Sequence, residues 1–598
     1  MKSTRGAATC VAIVMSACNT ESSYSEEASD VGDRPVARSE RGALPISGGA
    51  LLVSADGKLA IATDPDRDAI HVVDLEANAA LAAISLPNGS RPFRAASDAQ
   101  GRVHVTLRGT GVVATVDPAA GKLLSTTAVC SAPRGIAFDE RRGLLHVACA
   151  GGELVGLDAG TLEVTRRIVI APDLRDVVIA GDRVLVSRFR TAEIYEVADD
   201  GTVALVGVPE SLRVGNDLRV PNTAWRLLAT AKGSWVMLHQ LATTAPLPGD
   251  DLTANLPDGG DGYGGRGVEP CDGASNPALS AALPGGVLSS IGAIPEVAMA
   301  VDVAIAPDGE QLVVASPSQH ERDEPDLARG LVRASLRDLS RGPGGECRTP
   351  GRLEAADDFV AVAFDHDGEV LALSRTKPKL YRFEGNAVER AIELQGETLR
   401  DTGHDLFHLD AGAGIACATC HAEGGDDGLV WTFADVGPRR TPSLDVGLAG
   451  TEPFHWSGDL ENMPTLIEEV RHRRMGGAPQ SPEHADALAQ WLFELPGPPV
   501  MRVAADADAR AGEALFAELG CARCHSGAAL TSSAFVDLGM GALQVPSLRG
   551  VAMRPPYMHD GRAPDLAASV IEMLGATPDA RTPSDAEVTA IVAYLETL

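Results

Sequence analysis

At 598 residues the chain is too long for a single hydrophobic core and divides into several domains. Aromatic residues are scarce at 4 %, while 63 glycines and 38 prolines mark a turn-rich, largely β protein. A formal charge of −31 argues against nucleic acid or an anionic bilayer surface as partner, because either would repel it.

The first eighteen residues read as an export signal: Lys2 and Arg5 form a basic start, Ala7 to Met15 a short apolar stretch, and Met15-Ser-Ala-Cys18 a lipobox-like end. The apolar stretch is too short to span a bilayer as a mature helix. The expectation is a lipoprotein signal over 1–18, with Cys18 as the lipidated N-terminus and the lipid as the only membrane attachment. That places the chain in the periplasm or at the cell surface, as an outer-membrane lipoprotein. A simple cleaved secretory signal is the alternative. Residues 19–44, rich in Ser, Glu, Arg and Asp, read as a flexible tether.

From 45 to 397 a β pattern repeats about every forty residues. Asp74, Asp117 and Asp158 each close an apolar run and stand 43 and 41 residues apart. Pro92-Phe-Arg94 and Pro133-Arg134-Gly135 are 41 apart. Four-stranded units at this period read as propeller blades. Further blades fall at Ala224 to Gln240, at Ala300 to Ser316 with a Pro307-Asp-Gly309 turn, and at Phe359 to Phe383 with Asp367-Gly368, for seven in all. The arrangement resembles the seven-bladed propellers of the YVTN and lactonase-like group, which implies architecture and not chemistry. A protein partner on one propeller face is compatible with it, since such loops vary freely.

The stretch 246–295 breaks the period and reads as an inserted surface loop. Its Asp258-to-Gly265 segment is acidic but lacks the pattern of a calcium loop. In an oxidising compartment, proximity pairs Cys130 with Cys149 and Cys271 with Cys347. His146 and His239 read as blade histidines, and none of these four thiols reads as catalytic.

The last third is built on two copies of one pattern, Cys417-Ala-Thr-Cys420-His421 and Cys521-Ala-Arg-Cys524-His525. With ten Cys and 14 His in the chain, chance supplies roughly 0.004 copies of C-x-x-C-H. Paired thiols at this spacing add to the two vinyl groups of a haem, and the adjacent His becomes the proximal ligand. A zinc site would want a second ligand pair at finger-like spacing, and a thioredoxin-type pair a βαβ context. The expectation is two covalently bound haem c groups.

The surroundings repeat too. Gly403-x-x-Leu406-Phe407 precedes the first motif and Gly512-x-x-Leu515-Phe516 the second; from His421 to Pro442 and from His525 to Pro546 is 21 residues each. Phe454-His-Trp-Ser-Gly458 and Tyr557-Met-His-Asp-Gly561 then lead into helices ending near Met475 and Met573. Closing amphipathic helices start at Ser481-Pro482, carrying Leu488, Trp491, Leu492 and Leu495, and at the capping box Ser584-Asp-Ala-Glu587, carrying Val588, Ile591, Val592 and Leu595. The fold class is therefore a multidomain chain: an all-β seven-bladed propeller, then two all-α cytochrome c-like haem domains at 398–499 and 500–598.

From Leu399 onward these motifs resemble the bacterial di-haem cytochrome c peroxidases and their methylamine-utilisation relatives. The resemblance implies that Met573 is the second axial ligand of the electron-accepting haem, opposite His525, with Met558 and Met553 as competitors. It also implies that Trp456 is an electron relay between the haems. Peroxidases of the family place a distal His shortly after the first motif, but residues 422–441 contain none. Met475 is the substitute opposite His421, with His472 the runner-up. The family's acid-base glutamate lies close by, yet the residue before Met475 is Arg474, and Glu468 and Glu469 sit nearly two turns earlier. Three functions follow: an electron carrier exchanging electrons with a small cytochrome or cupredoxin, a peroxidase fed by a donor cytochrome, or a propeller-based partner-binding module with haem appendages.

Overall fold

The computed structural model describes residues 35–598 apart from 215–216, 231, 248–272, 283–287, 295–296, 318–329, 336–350, 354, 356, 412–413, 502–505, 538–540 and 577–580. The signal, Cys18, the Asp258-to-Gly265 segment and the Cys271–Cys347 pair lie outside the described residues.

Seven antiparallel sheets, spanning 51–85, 92–128, 133–169, 174–207, 212–293, 302–352 and 359–393, form the blades of a propeller. Inner strands are sandwiched between neighbouring blades and read as continuous apolar runs, as in Val103–Leu107, where every residue is buried. Outer strands face water, and in Lys122–Ala128 no residue is buried. The repeated aspartates terminate third strands by accepting backbone hydrogens from the turn that follows. Asp74 Oδ1 accepts from Glu76 and Ala77, and Asp158 Oδ1 from Gly160 and Thr161, at 2.8–2.9 Å. Gly309 and Gly368 turn left-handed at φ +71° and +84°, as their Asp-Gly turns require.

Cys130 and Cys149 form a disulfide joining the exit of the second blade to the third. His146 and His239 are buried in blades. His239 is held by Gln240 O at 2.9 Å and Ser280 Oγ at 2.8 Å.

Two expectations are corrected. The insertion 246–295 is not loop throughout: Ser275–Ala282 and Leu288–Ala293 are the outer strands of a five-stranded fifth blade. Pro277 masks the first of them in sequence, but pairing with Trp235–Thr243 overrides that local signal. The described end of the supposed tether is held in place. Ala37 exchanges hydrogen bonds with Thr402, and Ala43 O accepts from Trp491 Nε1 at 2.7 Å.

The helical part comprises α1 (Thr402–His408), α2 (Cys417–Cys420), α3 (Met463–Leu466), α4 (Pro482–Phe493), α5 (Ala507–Glu518), α6 (Leu566–Ala576) and α7 (Asp585–Leu595). In each unit the first and last helices cross closely, α1 on α4 and α5 on α7. The repeated glycines make this possible: a Cβ on Gly403 would lie 2.3 Å from Ala487 O, and one on Gly512 would lie 1.9 Å from Ala590 O. Ser481 and Ser584 cap α4 and α7 as expected, Ser584 in a capping box with Glu587. Beyond Leu466, α3 continues as a π-helix over Ile467–Arg474. Among the described residues, no helix is long and apolar enough to cross a membrane.

Candidate haem sites

Each motif winds one tight turn, so that the His backbone N–H returns to the first Cys carbonyl: His421 to Cys417 at 2.9 Å and His525 to Cys521 at 3.0 Å. This sets both thiols and the imidazole around one space. All four cysteines are free. The Nδ1 hydrogens donate to backbone carbonyls, His421 to Gly425 O at 3.2 Å and His525 to Leu530 O at 3.4 Å. Such a bond fixes the tautomer and ring plane and leaves Nε2 for iron. Burial presses both imidazoles below their ordinary range, His421 to about 4, so the rings are neutral as ligation requires. The donor set fits one haem c at each motif.

The structure disposes the expected sixth ligands differently. Met475 is 4 % exposed and packs with Ile415 and Trp431 in the cluster that also touches Cys417 and Cys420. Met573 is half-buried on α6, next to buried Leu574. Met553 packs on Ala132 and Ala150 of the propeller. His472 is tied through Nδ1 to Gly477 O at 2.5 Å.

The repeat is strict at the bridges Phe454–Leu460 and Tyr557–Ala563, 103 residues apart. That offset sets Val470, not Met475, opposite Met573. Met475 is reached five residues later, past the π-helical turns, where its N–H bonds Val470 O. Acid-base groups near it are engaged. Arg473 lies 3.5 Å from Glu468 and 3.4 Å from Glu469, and buried Arg474 lies 3.9 Å from Asp459.

Trp456 stands at the boundary between the two units. Its Nε1 donates to Arg440 O at 2.8 Å, and its ring packs on that of His559. Backbone bonds cross the boundary reciprocally: Arg440 N–H to His559 O at 2.6 Å, and Gln544 N–H to Trp456 O at 2.9 Å.

The two attachment turns differ in cover. Ala418 and Thr419, each 1 % exposed, lie under the propeller, and Thr419 Oγ1 donates to Ala298 O at 3.0 Å. Ala418 and Ala422 join a core cluster with Phe189 and Trp225 of the propeller. In the second motif Ala522, Arg523 and Ser526 are exposed.

Sequence reasoning missed a cluster of acids just after His421. Glu423 enters the propeller. Asp426 Oδ1 accepts from Arg190 of the fourth blade at 3.1 Å and from Arg440 at 2.8 Å. Arg190 and Arg440 also donate to the carbonyls of Met553 and Arg554 in the second unit, so one buried network ties all three parts. Burial pushes Asp427 up to about 6, where it accepts from Trp431 Nε1 at 3.2 Å. The only sequence signal was the acidic run Asp426-Asp427 so close to a C-x-x-C-H motif.

Residues 507–595 match the family model for subunit III of cbb3-type cytochrome c oxidase. Methylamine utilization protein MauG of Methylorubrum extorquens is 28 % identical over 267 residues, 33 % of this chain and 74 % of that protein. Cytochrome c551 peroxidase of Nitrosomonas europaea is 30 % identical over 276 residues, 35 % of this chain and 82 % of that protein. Among solved structures, Kuenenia stuttgartiensis hydrazine synthase aligns over 61 % of this chain and 99 % of its own at 14 % identity and a TM-score of 0.41. The chain thus carries a cytochrome c unit, with haem c as its prosthetic group and electron transfer as its role. At 30 % identity across most of the Nitrosomonas peroxidase, the chain belongs, through the third that follows its propeller, to the bacterial di-haem cytochrome c peroxidase and MauG family.

Proposed function

We propose that the protein is an extracytoplasmic electron-transfer cytochrome with two haem c groups, one on Cys417, Cys420 and His421, the other on Cys521, Cys524 and His525. The observation that supports this reading is the reciprocal boundary around Trp456, where two copies of one unit, each carrying its own C-x-x-C-H turn, pack against each other. Bound at these sites, haem c supplies reversible one-electron chemistry.

The chain's own residues do the rest. Gly425 O and Leu530 O orient the proximal rings. Met475, buried beside the first thiol pair, closes that site against water, and Met573 serves the second. Trp456 bridges the units as relay. The exposed turn of the second motif offers the approach for a redox partner such as a small cytochrome or cupredoxin, whereas the propeller covers the first. The propeller is thereby a cap, with its remaining faces open to a further protein partner. The export signal in the first eighteen residues supports a place outside the cytoplasm, lipid-anchored through Cys18.

Peroxide chemistry is the second reading, favoured by Asp427, a carboxyl beside the first site that burial pushes up to about 6. It needs an open coordination position and a free acid-base group. Arg474 immediately before Met475 and the pairing of Glu468 and Glu469 with Arg473 weigh against it. A pyridine haemochrome assay tests the main reading: the double variant Cys417→Ala, Cys420→Ala retains half the wild-type haem. Unchanged haem content refutes it, and rapid peroxide turnover by the unmodified protein selects the peroxidase.

A further inference from the structure

Glu423, two residues after His421, has a left-handed backbone at φ +55°. A residue with a Cβ adopts that conformation only where surrounding contacts impose it. Here the contacts are in the propeller. Arg108 grips the carboxylate with both terminal nitrogens, at 3.1 and 2.7 Å, and Arg175 Nη1 reaches Oε1 at 2.6 Å.

Arg175 is fully buried. Its guanidinium lies 4.8 Å from the Phe93 ring, 4.4 Å from Phe189 and 5.8 Å from Trp225, and its other terminal nitrogen donates to Ser47 O at 2.7 Å. Arg94, Arg134 and Arg175 all issue from the innermost strands of successive blades. Arg94 is neutralised by Asp176 at 2.8 Å and Arg134 by Asp173 at 2.7 Å. Among the described residues, the acid within ion-pair distance of Arg175 is Glu423. A buried guanidinium without its partner is strongly unfavourable, so the haem unit supplies what the propeller lacks.

We propose that the propeller sets the redox potential of the first haem electrostatically, with Glu423 as the positioning residue that fixes the proximal loop in an arginine socket. This rests on the reading of His421 as a haem ligand. Arg108 and Arg175 together carry one more positive charge than Glu423 cancels, and the surroundings are water-poor, where charge acts over longer range than in solvent. Net positive charge favours the reduced haem, which carries one positive charge fewer, and so holds the midpoint up.

The sign of two substitutions distinguishes this from simple scaffolding. In spectroelectrochemical titration of the full chain, Glu423→Gln removes a negative charge and raises one of two midpoints. Arg108→Gln removes a positive charge and lowers the same midpoint, and in both variants the second haem is unchanged. A loosened scaffold moves both variants in the same direction, and that result, or no shift in either, overturns the proposal. Should Glu423→Gln fail to fold, Arg108→Gln and Arg108→Glu carry the test, since the Arg108 side chain is 23 % exposed. Both must lower the midpoint, the second by more; an equal or upward shift overturns it. A wild-type chain with a single haem overturns the two-site reading and this inference with it, whereas two haems with immobile midpoints overturn this inference alone.

Discussion

Trp456 and His559 are the same position of a duplicated unit, and they pack against each other with ring centroids 6.2 Å apart. Because the hydrogen bonds around them also exchange roles between the units, the boundary has the self-complementary character of a two-fold dimer interface, built here within one chain. Such an interface fixes the separation of the two donor sets. Trp456→Phe keeps the ring but loses the bond to Arg440 O, so haem content stays whole while electron exchange between haems slows, as measured by flash photolysis. An unchanged rate removes Trp456 from the path.

The same boundary makes a stability prediction. Gly458 and Gly561 turn left-handed at φ +64° and +70°, and an added Cβ would meet Phe535 at 2.0 Å and Val430 at 2.4 Å across the boundary. Alanine at either position costs about 1–3 kcal/mol for the backbone, with overpacking in addition. Calorimetry should show a lowered transition for each variant, and equal stability would contradict the close approach.

For Met475 and Met573, proposed as axial ligands, the expected readout is optical and electrochemical. Met573→His lowers the second haem's midpoint by roughly a hundred millivolts, because a thioether favours ferrous iron more than imidazole does. The ferric thioether-to-iron band, integrated against total haem, falls by half in Met475→Ala. A band already at half strength in the wild type assigns the first site to another ligand or to none.

A pH prediction rests on the seam between the propeller, the N-terminal segment and α1. His408 Nε2 accepts the Ile46 N–H at 3.2 Å while Nδ1 donates to His404 O at 2.8 Å. His404 Nε2 accepts from Arg375 at 2.7 Å, and the two rings are 4.2 Å apart. Burial holds both well below the usual 6.5, reinforced by the Arg375 charge. The folded state therefore refuses protons that the unfolded chain takes up. The stabilisation is complete above about 6.5 and is lost as the pH falls below it, by about 1.4 kcal/mol per unit and per residue. Buried Asp358 nearby, pushed up to about 6, works in the opposite sense. Comparison with His408→Gln isolates the histidine. The stability advantage of the wild type over the variant shrinks between pH 7 and about 5; a constant gap would mean that His408 does not titrate with unfolding.

Much of this was legible in the sequence because it depends on local chemistry. The attachment motifs, the glycines of Gly403-x-x-Leu and Gly512-x-x-Leu, the Ser584 cap and the turn-forming aspartates each need a particular residue at a particular place. What was not legible depends on tertiary contact. Ile467–Arg474 reads as ordinary helix, and nothing local announces the wider turns that carry Met475 past the position of Met573. Ser275–Ala282 is a strand only because Trp235–Thr243 lies beside it. In α7 it is Ala593 that is buried, with Val592 only partly so, since the helix face is set by α5 as much as by residue size. Glu423 and Asp426 find their arginines more than two hundred residues away, in the propeller.

The cover over the first attachment turn has a consequence for biogenesis. Ala418 and Thr419 lie under the propeller, which is synthesised first and is ready to receive them. On the reading that both motifs attach haem, docking before ligation would cover the turn that carries Cys417 and Cys420, while the turn between Cys521 and Cys524 would stay open. When haem supply is restricted, the half-loaded protein that accumulates should carry its haem on the second motif, as peptide mass spectrometry would reveal; predominant loading of the first would show that docking waits for the cofactor.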